Sequence, residues 1–428
     1  MTQSRERTRT WPEKTLTRRD FIDLASAAGA GAACVAALGL VGCSGADDGE
    51  VANGEATSAA QTSGSDGDNP ASAERPSWSN PEVGGNLVHT GSLDLAWATG
   101  FTVDLYEGDR ALACIADGTR YLFVPAGDAP QGIAEDVTVL ERPLSNIYLA
   151  SSSTLCLFAA LGAVDCVSHV SVTQETCTVE AFTQAIASGD IVYGGKYSAP
   201  DYEAFLNGGC RLAVENTMIY HTPEVKEQLE RLGIPVFVER SSYERHPLGR
   251  MEWVKVYGAL LGRDAEAEEL YRQEIDQLQG VLSQENTGKT VAFFSINSNG
   301  SVTVRKSGDY IARTIELAGG RYIFPDLGAD DSAVTTLNMQ MEAFYDGAIG
   351  ADILIYNSTI NGQLSSLDEL IGESVLLSDF PAVQEGRVWC TSRNLFQETM
   401  RLGGLILDIH SILTEENPDS LRYLYPLQ

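Results

Sequence analysis

Asp264-Ala-Glu-Ala-Glu-Glu-Leu-Tyr-Arg-Gln-Glu-Ile-Asp-Gln-Leu-Gln-Gly-Val-Leu282 is the stretch on which the fold turns. Tyr271, Ile275, Leu278 and Leu282 recur at spacings of four, three and four, the period of an amphipathic helix. At 1.5 Å per residue this predicts a helix roughly 28 Å long. It stands mid-chain, and on each side short apolar runs alternate with helix-length amphipathic stretches. Before it, strands are expected at 147–150, 166–170, 191–193, 212–214 and 234–238, with helices at 154–161, 179–187, 202–206, 223–232 and 248–261. After it, strands are expected at 290–295, 302–304, 353–356 and 388–391, with helices at 310–317, 339–346 and 396–413. Such alternation predicts two mostly parallel α/β sheets joined by one long helix.

Residues 86–125 follow a different period. Leu93, Leu95 and Trp97 alternate with polar residues, and Gly108-Asp109 and Asp117-Gly118 stand at bends, so a small antiparallel β meander is expected. Residues 44–80 are dominated by Ser, Gly, Ala, Asp and Glu, with Arg75 the one basic residue. No apolar period recurs there, so the reading is a disordered acidic tether. The expected organisation is a leader over 1–42, a tether over 43–80, the meander over 81–130, an N-terminal α/β lobe over 131–262, a linker helix over 263–285 and a C-terminal α/β lobe over 286–428.

The leader carries Arg18-Arg19 ahead of an uncharged Ala/Gly-rich run at 24–41. Paired arginines before a weakly hydrophobic segment are the pattern of a twin-arginine export signal. The run ends Leu40-Val41-Gly42-Cys43, which resembles the lipobox of bacterial lipoproteins. That resemblance implies a lipid on Cys43, cleavage before it, and an extracytoplasmic protein anchored to the cell membrane.

Charge excludes one class of partner. The chain holds 29 Lys/Arg against 59 Asp/Glu, and loss of residues 1–42 leaves 23 against 55, a net of −32. Nucleic acid would be repelled. Enzyme templates also fail: GxGxxG, HExxH and GxSxG are missing, and Gly288-Lys289-Thr290 places Ser283 where a P-loop needs its first glycine. The histidines, at 89, 169, 221, 246 and 410, lack metal-ligand spacing. Beyond Cys34 and Cys43 six cysteines remain, an even number that leaves disulfides and buried thiols both open.

One charged stretch stands out. Glu239-Arg-Ser-Ser-Tyr-Glu-Arg-His-Pro-Leu-Gly-Arg250 follows an expected strand, at the carboxyl end where open α/β sheets bind ligands. Its arginines suit carboxylates, and its Tyr and His suit iron. A solvated loop leading into a helix is the alternative.

Taken in order, these features resemble the periplasmic binding proteins of ABC importers for ferric siderophores, heme and cobalamin. Ala160-Leu-Gly-Ala-Val-Asp165 is similar to the family's turn after its first helix. Gly194-Gly195 with Pro200-Asp-Tyr-Glu203, Gly233-Ile-Pro-Val236, His246 to Arg250, and Glu316-Leu-Ala-Gly-Gly320 match further stretches. The likeness covers roughly 137–415 and leaves the meander outside. It implies a non-catalytic, monomeric receptor without a cofactor or a metal of its own. Its ligand is a small-molecule metal chelate, heme or corrinoid held between two lobes, and its partners are a permease and ATPase. It implies ligand contacts at Lys196, Tyr197, Arg240, Tyr243, His246 and Arg250 from the N-terminal lobe. From the C-terminal lobe it implies Asn297, Arg305, Tyr310, Arg393 and Asn394. Glu203 and Glu316 would dock on the permease. Basic residues at loop ends of so acidic a chain suit an anionic ligand. A tetrapyrrole metal chelatase, or a surface adhesion or sensory module, are the readings from other classes.

Overall fold

The computed structural model describes residues 75–128, 130–328, 336–415 and 421–428. Arg18, Arg19, Cys43 and the tether up to residue 74 lie outside the described residues. The architecture is α/β, with three principal sheets in sequence along the chain.

The first sheet joins β1 (His89–Ser92), β2 (Phe101–Tyr106), β3 (Arg110–Ile115), β4 (Arg120–Pro125) and β5 (Val137–Arg142) in chain order. Gly108 at φ 79° and Asp109 at φ 56° close the β2–β3 hairpin, a left-handed pair that the primed turns require. The expected meander ended at residue 130. The structure extends it: β5 pairs parallel to β4, from Arg120↔Val137 to Pro125↔Arg142. The expectation of a tether through residue 80 does not hold for its last six residues. Arg75 bonds Asp104 and Ser79, and Ser79 contacts Thr102 at 2.6 Å, so residues 75–80 pack on the sheet.

The second sheet runs β12-β11-β6-β7-β8, all parallel, with β6 (Ile147–Leu149), β7 (Val167–Val170), β8 (Val192–Tyr193), β11 (Leu212–Asn216) and β12 (Val236–Glu239). A small hairpin, β9 (Gly195–Lys196) with β10 (Ala199–Pro200), lies between β8 and β11. In order of appearance the sheet reads 5-4-1-2-3, so the winding reverses between β6 and β11. The crevice at their carboxyl ends is the topological switch point, where such sheets place ligands.

The third sheet runs β16-β14-β13-β17-β18-β19, with β13 (Thr290–Ile296), β14 (Val302–Arg305), β16 (Thr336–Met339), β17 (Ile353–Tyr356), β18 (Val388–Thr391) and β19 (Leu424–Pro426). β13, β17 and β18 are parallel, as is the short β15 (Arg321–Tyr322) on β13. β14, β16 and β19 pair antiparallel.

The helix Asp264–Leu282 forms over the residues that the periodicity marks. Tyr271 and Leu278 are buried while Ile275 and Leu282 are half-buried. Before it, the expected single helix over 248–261 is broken at Trp253 into Pro247–Glu252 and Val254–Leu261. Gly258 faces the linker helix so closely that an added Cβ would lie 2.5 Å from that of Ala267. The expected helix over 396–413 starts later, at Leu402, after turns and a short 3-10 segment whose Arg393 and Gln397 bond the N-terminal lobe. One continuous apolar core runs from Phe101 and Phe123 through Phe158, Trp253 and Tyr257 to Tyr310, Ile406 and Tyr423. Both lobes and the first sheet therefore share buried surface. All six described cysteines are free thiols, and five of them are buried.

Candidate functional site

The loops at the carboxyl ends of the two lobe sheets meet directly. After β7, Thr178 N–H and Oγ1 donate to Gln397 Oε1 at 2.9 and 3.0 Å, and the Gln397 amide donates to the Thr176 carbonyl at 2.8 Å. Arg393 donates to the Glu175 carbonyl at 2.7 Å. The loop after β18 thus grips the N-terminal lobe. At the switch point, Glu239 accepts from Ser241 N–H at 2.6 Å and from Ser153 and Ser151 at 3.2 and 3.4 Å, tying β12 to the residues after β6.

Two groups of side chains stand out, one following β12 in the N-terminal lobe and one between the lobes. At the rim, the Arg240 guanidinium lies 4.7 Å from the Tyr243 ring centroid and 5.7 Å from that of Tyr220. It donates to the Tyr220 hydroxyl at 2.8 Å, which donates to Asp117 at 2.7 Å. Burial pushes the Tyr220 phenol up, and Asp117 adds to the shift. Asp117 belongs to the β3–β4 turn, so the meander reaches the rim. Tyr243 stays 43% exposed. Deeper, Arg250 lies 4.0 Å from the ring of Tyr310, across the two lobes. Arg305 sits between Phe293 and Phe396 at 5.8 and 5.7 Å and pairs with Asp309 at 3.5 Å. Asp309 caps the helix Tyr310–Leu317 through Ile311 N–H.

The other expected contacts are placed differently. Lys196 is exposed and Tyr197 half-buried on the β9–β10 hairpin. The Asn297 amide is held by Ser301 and Thr303 at 2.9 and 3.0 Å, closing the β13–β14 turn. Asn394 donates to Glu398 at 3.2 Å. His246 serves locally: its Nδ1 accepts Leu248 N–H at 3.2 Å as a helix cap, and its ring stacks on Trp97 at 4.0 Å. Of the two docking candidates, Glu203 is exposed on the helix Tyr202–Asn207, and Glu316 is exposed but paired with Arg313 at 2.6 Å.

Two features escaped the sequence reading. Glu244 and Glu252 hold the meander. Glu252 accepts the N–H groups of Ala96, Trp97 and Ala98 at 2.8–2.9 Å. Glu244 accepts those of Thr99 and Gly100 and the Trp253 indole. The expected strand through Leu95 and Trp97 is lost for this reason, since its donors bond carboxylates rather than a neighbouring strand. Lys255 joins Glu252, Glu268 and the Asp94 carbonyl at 3.2, 2.9 and 3.0 Å. The second feature is Glu215 on β11, fully buried, with neither carboxylate oxygen hydrogen-bonded. Burial pushes its carboxyl up to about 8.

Among the described residues no cluster of His, Cys, Asp and Glu is arranged to hold a metal ion. Two cavities lie away from the junction. One of about 160 Å³ is at Lys289, Asp352 and Trp389, and another of about 580 Å³ is at Arg75, His89 and Tyr106.

No protein-family model matches the chain. It is 24% identical over 340 residues to an uncharacterized lipoprotein of Methanocaldococcus jannaschii, covering 74% of this chain and 78% of that protein. Among solved structures, the periplasmic heme binding protein HutB of Vibrio cholerae superposes with a TM-score of 0.50 at 19% identity, over 61% of this chain and 98% of that one. A periplasmic heme binding protein from Pseudomonas aeruginosa gives 0.50 at 16%, over 66% and 98%. A periplasmic binding protein from Veillonella parvula gives 0.51 at 14%, over 69% and 95%. The fold is that of the two-lobed periplasmic binding proteins. At these identities the likeness is one of architecture, and the ligand is a separate question.

Proposed function

We propose that this chain is the extracytoplasmic substrate-binding component of an ABC importer. In this reading it captures a ferric siderophore, heme or cobalamin-type ligand between its lobes and hands it to a permease, without catalysis. The observation that carries the reading is the junction itself. Arg240 and Tyr243 follow β12 at the carboxyl end of the N-terminal lobe sheet, Arg250 meets Tyr310 across the lobes, and Arg305 lies against Phe396 of the crossing loop. Aromatic faces with guanidinium groups suit a large, planar or chelated ligand. The two exposed glutamates, Glu203 on one lobe and Glu316 on the other, are the surface groups proposed to meet arginines on the permease. The twin-arginine leader and the lipid on Cys43 would place the receptor beside it, and the acidic tether would give it reach.

Titration of the unlipidated chain by tryptophan fluorescence tests this. Hemin, cobalamin and ferric chelates of several classes are the probes, and at least one is expected to bind with a Kd below about 1 μM, or roughly −8 kcal/mol. If all of them bind more weakly than that, the importer reading is wrong.

A further inference from the structure

We infer that Arg250 receives an acidic group of the ligand, so that the cargo is a carboxylate-bearing tetrapyrrole or metal chelate rather than a neutral one. The inference rests on the receptor reading and narrows it.

Arg250 is 8% exposed. Its Nε is buried without a hydrogen bond, and among the described residues its guanidinium has no carboxylate partner. What it has is the face of Tyr310 at 4.0 Å, and Tyr310 is itself buried. The nearby Arg305 already takes the one acid of this cluster, Asp309. Of the two guanidinium groups only Arg305 is paired with a carboxylate, in a chain whose net charge is −30. In so acidic a protein a carboxylate partner for Arg250 is easy to supply, yet the fold leaves it without one. A cation–π contact offsets only part of the cost of burying a guanidinium. It also leaves the in-plane N–H donors free, and those donors match a carboxylate.

Position supports the same conclusion. Arg250 belongs to the helix Pro247–Glu252 and Tyr310 to the C-terminal lobe, so the pair spans the junction. The loop that grips the N-terminal lobe through Arg393 and Gln397 also carries Phe396, which lies against Arg305. A ligand that parts those contacts uncovers the arginines beneath.

The alternative is that Arg250 only packs the lobes together, and stability separates the two. Arg250→Met keeps the length and removes the charge. A packing role predicts a lower melting temperature with all ligands weakened alike. An anion-receiving role predicts a melting temperature unchanged or raised, because relief of a buried charge without a carboxylate partner offsets the lost contact with Tyr310.

The binding test uses the full mature chain and its Arg250→Met variant with hemin, ferric citrate, a neutral ferric trihydroxamate and cyanocobalamin. Wild type is expected to bind hemin or ferric citrate, and the variant to lose at least tenfold for that probe. Hemin alone would point to tetrapyrrole carboxylates, and ferric citrate alone to a carboxylate chelate. Binding of only the neutral probes, or a variant within twofold of wild type on the acidic ones, overturns this inference and leaves the receptor reading standing. Wild type binding none of the four overturns both.

Discussion

Glu215 shows how much a single residue can carry. In Leu212-Ala-Val-Glu-Asn216 the acid interrupts an apolar strand, and period two puts it on the same face as Ala213. The sequence could not say that both faces of this strand are fully buried, the one carrying Ala213 being packed with Tyr148, Phe205 and Val238. Burial disfavours the charged form, and no donor offsets it, so the carboxyl holds its proton up to about 8. Its titratable neighbours Tyr148 and Tyr202 are themselves pushed up, chiefly by burial and further by Glu215. The folded state therefore binds a proton that the unfolded state releases near 4.5. Folding stability attributable to Glu215 is full below that pH. It falls by about 1.4 kcal/mol per pH unit as the pH rises toward 8, and then levels off. Urea unfolding of wild type and Glu215→Gln across pH 5–8 measures this, and the difference between the two should change steadily through that window. Parallel curves would show that the carboxyl is not held protonated.

At the scale of elements, the stretch Glu239 to Arg250 divides its labour. The sequence reading marked it as a ligand loop because charges and aromatics follow a strand. Arg250 spans the lobes to Tyr310 and Arg240 and Tyr243 stay at the carboxyl end of β12, but Glu244, His246 and the adjoining Glu252 serve the meander instead. That assignment was illegible, since the partners lie about 150 residues away in sequence and the N–H groups of residues 96–100 bear no sequence signature. The linker helix was legible because its apolar stripe is local, and so were the strands at 353–356 and 388–391. The parallel partner of β4 was missed because residues 126–136 look like a domain boundary while acting as a crossover. Removing the carboxylate at 252 leaves three half-buried backbone donors and the buried Lys255 short of a partner. Glu252→Ala should therefore cost about 3–5 kcal/mol, the usual penalty for breaking a buried charged contact. Equilibrium unfolding gives the value, and a loss under about 1 kcal/mol would mean that the meander is held by its apolar contacts alone.

For the whole molecule, the shared core sets the range of motion. In the proposed receptor, ligand enters between lobes that share one large buried cluster, running from the first sheet through the paired helices before the linker to the C-terminal helix Leu402–Thr414. The linker helix packs on Val254–Leu261 at the close Gly258–Ala267 contact and, through Leu278, beside Gly403 of the C-terminal helix. Bending at the linker would open both packings at once, and interdigitated side chains resist such shear. The crossing contacts of Thr176, Thr178, Glu175, Arg393 and Gln397 part at less cost, because they are hydrogen bonds that water can replace. Motion should therefore be confined to the loop at 392–399 and its facing residues, with the lobes nearly fixed. Small-angle scattering of the mature chain with and without a saturating ligand should give the same radius of gyration within error. Hydrogen exchange should change at 171–178 and 392–399 and leave the linker helix as protected as before. A marked compaction on binding, with altered protection along Asp264–Leu282, would show instead that the helix is a hinge and the common core is not continuous in solution.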